Sequence, residues 1–150
     1  MKLSNRTEHS RRRLLPIALA LAAGLGFAVP ALASNANLPT AMHEGKVTYL
    51  SGGIGESEIA AMKAAAPKYP LEVEFIKKEA TGPAAYLAAD KLTIRDHAGK
   101  TVLSTTSNGP FFLAKLPTGR YTVMATNRNV SRERRIDLAA GGHEKIVFEW

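Results

Sequence analysis

The chain has 150 residues, a formal net charge of +7 and no cysteine. The lack of cysteine excludes a disulfide framework, a zinc-finger site and thiol chemistry. A hydrophobic fraction of 45% is that of a globular protein, and the length fits one compact domain with a substantial core.

The first 33 residues have the composition of an export leader. Five basic residues and only one acidic residue, Glu8, precede an apolar run from Leu14 to Val29, and Ala31-Leu32-Ala33 follows. This order is typical of a secretory signal peptide, so we expect cleavage after Ala33 and a periplasmic product. The apolar run is short and contains proline and glycine, which makes an uncleaved membrane anchor the weaker alternative.

Two export routes are compatible with this leader. The segment Ser10 to Leu15 reads Ser-Arg-Arg-Arg-Leu-Leu and resembles the twin-arginine motif, whereas a general-secretion leader can also carry three arginines.

Removal of residues 1–33 takes away five of the 20 basic and one of the 13 acidic residues, so the net charge falls from +7 to +3. Most of the basic excess therefore belongs to the leader, and we expect no nucleic-acid partner.

After the leader, residues 34–45 form a small, polar segment that we expect to be a flexible lead-in. The alternation in Lys46–Leu50 predicts a first strand, which Ser51-Gly52-Gly53-Ile54-Gly55 interrupts. The helical spacing of apolar residues then predicts a short helix over 57–66, ended by Pro67.

From Leu71 to Trp150 the pattern is strand and turn, with short alternating segments between turn signals. Asn108-Gly109 predicts a hairpin, and Asn127-Arg128-Asn129 predicts another turn. The recurrence predicts an all-β antiparallel sandwich of seven or eight strands, occupying 46–150 as a single domain with the one inserted helix. The predicted core residues are Leu71, Val73, Phe75, Leu92, Ile94, Phe112, Leu116, Tyr121, Val123, Ile136, Ile146 and Phe148.

Three segments carry a resemblance to a known family. They are Leu92-x-Ile94-x-Asp96-x-x-Gly99, then Ser107-Asn108-Gly109-Pro110-Phe111, and then Leu116-Pro117-Thr118-Gly119-Arg120-Tyr121-Thr122-Val123. In this order, residues 84–150 resemble the carboxypeptidase-regulatory-like domain, a transthyretin-like, immunoglobulin-like β-sandwich. The resemblance implies that the tyrosine of the last segment packs inward and that the domain has a binding or structural role, and the family offers no catalytic residues to transfer to this chain. The chain is also similar to small exported proteobacterial proteins with a Ser-Gly-Gly-x-Gly-Glu segment ahead of such a domain.

The glycine segment is one candidate site, formed by Ser51, Gly52, Gly53, Gly55 and Glu56. Its glycines permit close backbone approach, so it is a candidate loop for a ligand or a partner. The alternative is a structural turn whose acidic neighbours stabilise the helix that follows. No Gly-Lys-Ser/Thr follows, which excludes a nucleotide-binding loop.

A second candidate is the basic cluster of Arg128, Arg132, Arg134 and Arg135. It could bind an acidic partner or anionic lipid head groups. Alternatively, these charges protect an edge strand against pairing with another chain.

No pattern of catalytic or metal-binding residues is recognised. His43-Glu44 and His143-Glu144 lack the second histidine of a zinc-protease helix, and no Gly-x-Ser-x-Gly is present. Glu72 and Glu74 are close in sequence, but we interpret them as the solvated face of one strand. His97 and the other histidines are expected in exposed turns, and we expect neither a metal nor a cofactor.

These observations favour a non-enzymatic periplasmic module that binds a protein, a peptide or an envelope glycan. The alternatives are a structural accessory subunit of an envelope assembly or, less favoured, a metal-dependent hydrolase. The alternating, aromatic C-terminus would also suit an outer-membrane strand, but the predicted helix and the short strands argue against this.

Overall fold

A computed structural model describes residues 37–150, which are folded mainly as strands. The predicted leader, its twin-arginine motif and its cleavage point lie outside the described residues. The helix α1 (Glu56–Ala65) is extended by a single 3-10 turn (Ala66–Lys68). The strands are β1 (Met42–Glu44), β2 (Val47–Gly52), β3 (Leu71–Lys77), β4 (Ala85–Tyr86), β5 (Lys91–Asp96), β6 (Thr101–Thr105), β7 (Phe111–Lys115), β8 (Gly119–Asn127), β9 (Val130–Leu138) and β10 (Glu144–Glu149).

The strands form two sheets that face each other. The larger, sheet A, has the order β1-β2-β7-β3-β10, with β4 also paired to β3, and the smaller, sheet B, has the order β6-β5-β8-β9. An all-β sandwich with a short inserted helix is thus confirmed. Residues 37–150 contain ten strands rather than seven or eight, because the short β1 and β4 are added.

One ladder differs from the antiparallel expectation. β10 pairs with β3 in parallel, and Ile146 lies beside Val73. The physical reason is that the whole of sheet B separates these two strands along the chain. No short hairpin therefore dictates their direction, and a parallel pair needs a long connection of this kind.

The main core lies between the sheets, and it contains all of the predicted core residues. Alternation along each strand directs these side chains inward, as the sequence pattern indicates. Phe75 and Phe148 are fully buried and stacked, with ring centroids 6.2 Å apart. The core also holds side chains that were not predicted, namely Val47, Tyr49, Ala89, Leu103, Ala114, Ala125 and Leu138.

A second, smaller core lies between α1 and the outer face of sheet A. Met62 of the helix is fully buried against Leu50, Phe111 and Leu113. The predicted helix is confirmed to within one residue at each end, and Pro67 lies in the 3-10 turn that follows it. The helix therefore explains why β2 and β7 are apolar on both faces.

Two predictions of local structure are wrong. Residues 42–44 of the expected lead-in form β1, because Gly45, with φ +57°, turns the chain back to pair with β2. Asn108-Gly109 does not form a hairpin, since β6 lies in sheet B and β7 in sheet A. The segment between these strands instead carries the chain from one sheet to the other.

The turn predicted at Asn127-Arg128-Asn129 is confirmed and joins β8 to β9. Arg128 and Asn129 have φ values of +45° and +65°, and Asn127 pairs with Val130. This is the two-residue hairpin geometry in which both central residues are left-handed.

No helix in residues 37–150 combines the length and the apolarity needed to cross a membrane.

Candidate functional site

A groove of about 700 Å³ lies on the outer face of sheet B. It is formed by β5, β8 and β9 together with the turn between β5 and β6. The inner residues of these strands, such as Ile94, Val123 and Ile136, are buried in the main core. Alternation therefore directs the residues between them towards the groove.

The strand register gathers three arginines around one threonine. Arg95 lies opposite Thr122, and Thr122 lies opposite Arg135, so the three residues form a row across β5, β8 and β9. Arg120 precedes Thr122 by two residues on the same face and lies opposite Asp137. Because neighbouring strands are about 4.8 Å apart, Arg95, Arg120 and Arg135 all lie close to Thr122 on this face, and all four residues line the groove.

Two of the acidic residues that line the groove, Asp96 and Glu133, have partners of their own. Asp96 Oδ1 accepts the N–H groups of Ala98 and Lys100, each at 3.0 Å, and so fixes the turn between β5 and β6. Glu133 Oε1 lies 3.7 Å from Arg135 Nε. The contacts of Asp96 order the turn at the wall of the groove, and Glu133 lies near one of its arginines, Arg135.

Tyr121 lies below the groove and is only 8% exposed. Its hydroxyl donates to the carbonyl oxygen of Pro117 at 3.0 Å. Burial raises the pKa of Tyr121, and the negative charge of Asp96 raises this pKa further. The phenol therefore remains protonated and structural, and it supplies no base to the groove.

A smaller cavity of about 380 Å³ adjoins the groove, and Asp96 and Tyr121 line both. Val47, Val102 and Leu116 make this cavity more apolar than the groove. The groove, with its converging guanidinium groups, offers the more defined recognition chemistry.

The predicted basic cluster does not form one surface. Arg135 lines the groove, whereas Arg128 lies at the tip of the β8–β9 hairpin. Arg132 and Arg134 lie on the opposite face of β9 from Arg135 because of the strand alternation. The guanidinium carbon of Arg134 lies 5.8 Å from the centroid of the Phe148 ring, where it covers the edge of the core.

The position of β9 favours the interpretation that the predicted basic cluster protects an edge strand. β9 lies at the edge of sheet B, and its residues 130–135 are exposed. Arg132 and Arg134 thus occupy an edge strand, which is where charged side chains oppose pairing with another chain.

Arg95 and Arg120 belong to the groove and were not singled out from the sequence. Each lies next to a residue of the predicted core, Ile94 or Tyr121, and on the opposite face, so alternation alone marks both as outward-facing. Their proximity to Arg135 depends on the pairing of three strands that are separated along the chain. The sequence pattern does not specify that pairing.

The predicted glycine loop lies on the other sheet, and none of its residues lines the groove. Ser51, Gly52 and Gly53 are buried, while Gly55 and Glu56 are exposed. Gly53 has φ +97°, and a Cβ atom there would lie 2.5 Å from the ring of Phe111. This glycine is therefore required by packing within the fold.

The polar groups of the loop also have internal partners. Glu58 Oε1 accepts the N–H of Gly53 at 2.6 Å and that of Ile54 at 3.4 Å. Ser51 Oγ accepts the N–H of Asn108 at 2.8 Å. The exposed part of this loop is centred on Ile54, which is 71% exposed.

The interpretation of Glu72 as part of a solvated sheet face is wrong. Glu72 is 5% exposed and lies 3.0 Å from His143 Nε2 and 3.1 Å from Lys145 Nζ. His143 Nδ1 donates to the carbonyl oxygen of Tyr69 at 2.7 Å, and Lys145 also contacts Glu74 at 2.8 Å. The parallel pairing of β3 with β10 places these groups together, and that pairing was not predicted.

The histidines lie in different parts of the fold. His43 is on β1, with its Nδ1 3.0 Å from Thr48 Oγ1, while His97 lies in the β5–β6 turn and His143 in the β9–β10 loop. Among residues 37–150, no three His, Asp or Glu side chains are grouped so as to hold a metal ion.

No family model matches the chain. No curated protein matches it. Among solved structures, a chain described as the Bacillus anthracis TIE protein is similar over 53% of this chain, with 21% identity and a TM-score of 0.40. This chain spans 16% of the length of that protein.

Proposed function

We propose that this protein is an exported, non-enzymatic binding module of the cell envelope, and that its ligand surface is the groove on sheet B. The ligand classes that the sequence favours are a protein, a peptide or an envelope glycan. The observation that carries the proposal is the convergence of Arg95, Arg120 and Arg135 around Thr122.

The chemistry of this arrangement suits binding. A guanidinium group is always charged and presents several donors in a fixed plane, which makes strong hydrogen bonds with oxyanions. The three arginines project from paired strands rather than from a loose loop. A rigid sheet therefore fixes the backbone positions of the three arginines before a ligand arrives, which lowers part of the entropic cost of binding.

The family resemblance of residues 84–150 is part of the same proposal. The resemblance implies an inward-packed tyrosine in the segment from Leu116 to Val123, and Tyr121 is buried there with its hydroxyl bonded to Pro117. This supports a transthyretin-like, carboxypeptidase-regulatory-like domain in a binding role.

Export is tested by fractionating an expressing bacterium and sequencing the N-terminus of the processed chain. We expect a periplasmic protein that begins at Ser34. Substitution of both Arg11→Lys and Arg12→Lys blocks export if the route is twin-arginine and leaves it intact if the route is general secretion. An unprocessed chain in the cytoplasm would contradict the proposal.

Binding is tested by immobilising the processed protein and passing envelope extract over it. A groove variant with Arg95→Gln, Arg120→Gln and Arg135→Gln should lose the retained material. A control with Arg128→Gln and Arg132→Gln removes charge outside the groove and should retain it. Equal retention by all three proteins would overturn the groove as the ligand surface.

The same experiment separates the alternative role. A structural accessory subunit would co-purify with one stable partner that survives high salt and does not depend on the groove arginines. That outcome would replace the binding-module proposal.

A further inference from the structure

We propose that the groove binds an acidic polysaccharide, a glycan chain that carries carboxylate groups. This inference rests on the proposed function and narrows the ligand class of the same site. It rests on three features of the groove: its side-chain donors, its combination of guanidinium and carboxylate groups, and the lack of an exposed aromatic platform among its described lining residues.

The groove offers side chains rather than backbone groups. β8, at its centre, is paired with β5 on one side and with β9 on the other. Its backbone donors and acceptors are therefore engaged in the ladders. A peptide that binds by adding a strand would need the free edge of β9, whereas the outer face of β8, where Arg120 and Thr122 lie, suits a ligand that side chains recognise.

The spacing of the arginines favours several acidic groups in one ligand. Arg95 and Arg135 are two strands apart, which places their Cα atoms roughly 10 Å from each other. Arg120 lies roughly 7 Å along β8 from Thr122. A chain with acidic groups at intervals can pair with more than one guanidinium group, each through charge-assisted hydrogen bonds.

The groove also contains acceptors. Glu133 and Asp137 lie along its β9 side. Carboxylates accept hydrogen bonds from sugar hydroxyls, but they repel a ligand that presents anionic groups alone. The combination of guanidinium and carboxylate groups therefore favours an acidic glycan over a polyphosphate or an acidic peptide.

An aromatic platform for neutral sugars is not part of this lining. Among the described residues, the groove is lined by one Phe, Tyr or Trp side chain, Tyr121, which is buried and bonded to Pro117, and by the imidazole of His97. Charge should therefore supply most of the affinity, and a glycan without acidic groups should bind more weakly.

The test uses the processed protein and polygalacturonate oligomers, with binding measured by calorimetry. Dextran oligomers provide a neutral glycan, and polyglutamate provides an acidic peptide. We expect polygalacturonate to bind and to weaken as salt is raised, because exposed charges are screened. Dextran and polyglutamate should each bind at least about tenfold more weakly than polygalacturonate, given about 1.5–3 kcal/mol for hydrogen bonds to charged groups.

Matched variants assign the effect to the groove. The Arg95→Gln, Arg120→Gln, Arg135→Gln variant should weaken polygalacturonate binding by at least about tenfold, since the loss of even one charge-assisted contact is worth about tenfold. The Arg128→Gln, Arg132→Gln control should stay within about twofold, since its charges lie outside the groove. Thermal unfolding establishes that both variants are folded.

The possible outcomes distinguish the two proposals. If polyglutamate or dextran binds as tightly as polygalacturonate, or if the control variant loses as much affinity, the acidic-glycan inference is overturned. If polygalacturonate fails to bind while retention of envelope material still needs the groove arginines, the ligand class is wrong and the proposed function stands. If both fail, the groove is not the ligand surface.

Discussion

The close approach of two backbones at Gly52 and Gly109 gives the sharpest test of the packing between the glycine loop and the segment that crosses between the sheets. A Cβ atom at position 109 would lie 2.5 Å from the carbonyl carbon of Gly52, 3.0 Å from its Cα and closer still to its oxygen. Gly52 is held in β2, where it pairs with Phe111. Because the obstructing atoms are backbone in a paired strand, they have little room to move.

Gly109→Ala should therefore lower the free energy of unfolding substantially. Overpacking costs about 1–3 kcal/mol and occasionally more, and a clash with backbone belongs at the top of that range. The smaller conformational entropy of the unfolded alanine chain offsets about 0.4–1 kcal/mol. We expect a net loss of about 2–3 kcal/mol, which lowers the melting temperature by about 10 °C for a domain of this size.

The assay is urea unfolding followed by the fluorescence of Trp150, the single tryptophan of the chain, which packs against Phe75 and Phe148. Gly55→Ala is the control, because Gly55 has φ +83° but no atom lies within 4 Å of the position that a Cβ would occupy. This control carries only a backbone penalty of about 1–3 kcal/mol, because φ +83° with ψ 157° is a conformation that is essentially restricted to glycine. Wild-type stability of Gly109→Ala would refute the packing argument.

Three further substitutions test other contacts. Thr93→Val should raise stability by about 1 kcal/mol, because Thr93 Oγ1 is buried and has no hydrogen-bond partner among the described residues; a lower melting temperature would contradict this. Glu58→Gln should lower the free energy of unfolding in urea by about 1 kcal/mol, since the Glu58 carboxylate accepts two N–H groups of the glycine loop. Glu56 is exposed, so Glu56→Gln should leave the free energy of unfolding nearly unchanged. The hydrogen bond to Glu74 raises the pKa of Lys145 above its ordinary value, against an opposing effect of burial. The stability difference between wild type and Lys145→Met should therefore be constant between about pH 7 and pH 10 and disappear as the pH rises through the folded pKa of Lys145. A difference that grows as the pH rises above about 10 would contradict this.

The main core was predictable because it depends on local alternation. Positions such as Leu92, Ile94 and Val123 lie two residues from other apolar residues, and a strand sends all of these to one side whatever its partner is. The helix was predictable for a similar reason, since its apolar spacing and Pro67 are local signals.

The arrangement of the strands was less predictable. An Asn-Gly pair has the same left-handed preference in a hairpin and in a crossing segment, so Asn108-Gly109 does not reveal which sheet the next strand joins. The buried state of Glu72 likewise depends on Lys145 and His143, which are more than 70 residues away along the chain. Alternation indicates a face of a strand, and it does not reveal what covers that face.

The candidate site illustrates the same limit. The glycine loop attracted interest because its composition is unusual, and the structure provides packing reasons for Gly53 and internal hydrogen bonds for its N–H groups. Arg135 was among the predicted basic residues, but Arg95 and Arg120 come from other strands. Their convergence is a property of strand pairing rather than of composition.

The most direct test of the binding account is an NMR titration of the isotope-labelled, processed protein with polygalacturonate oligomers. The account predicts that the largest backbone and guanidinium shifts occur at Arg95, Thr122 and Arg135, and that residues 51–56 are unaffected. Shifts centred on residues 51–56, or no shifts on β5, β8 and β9, would contradict it.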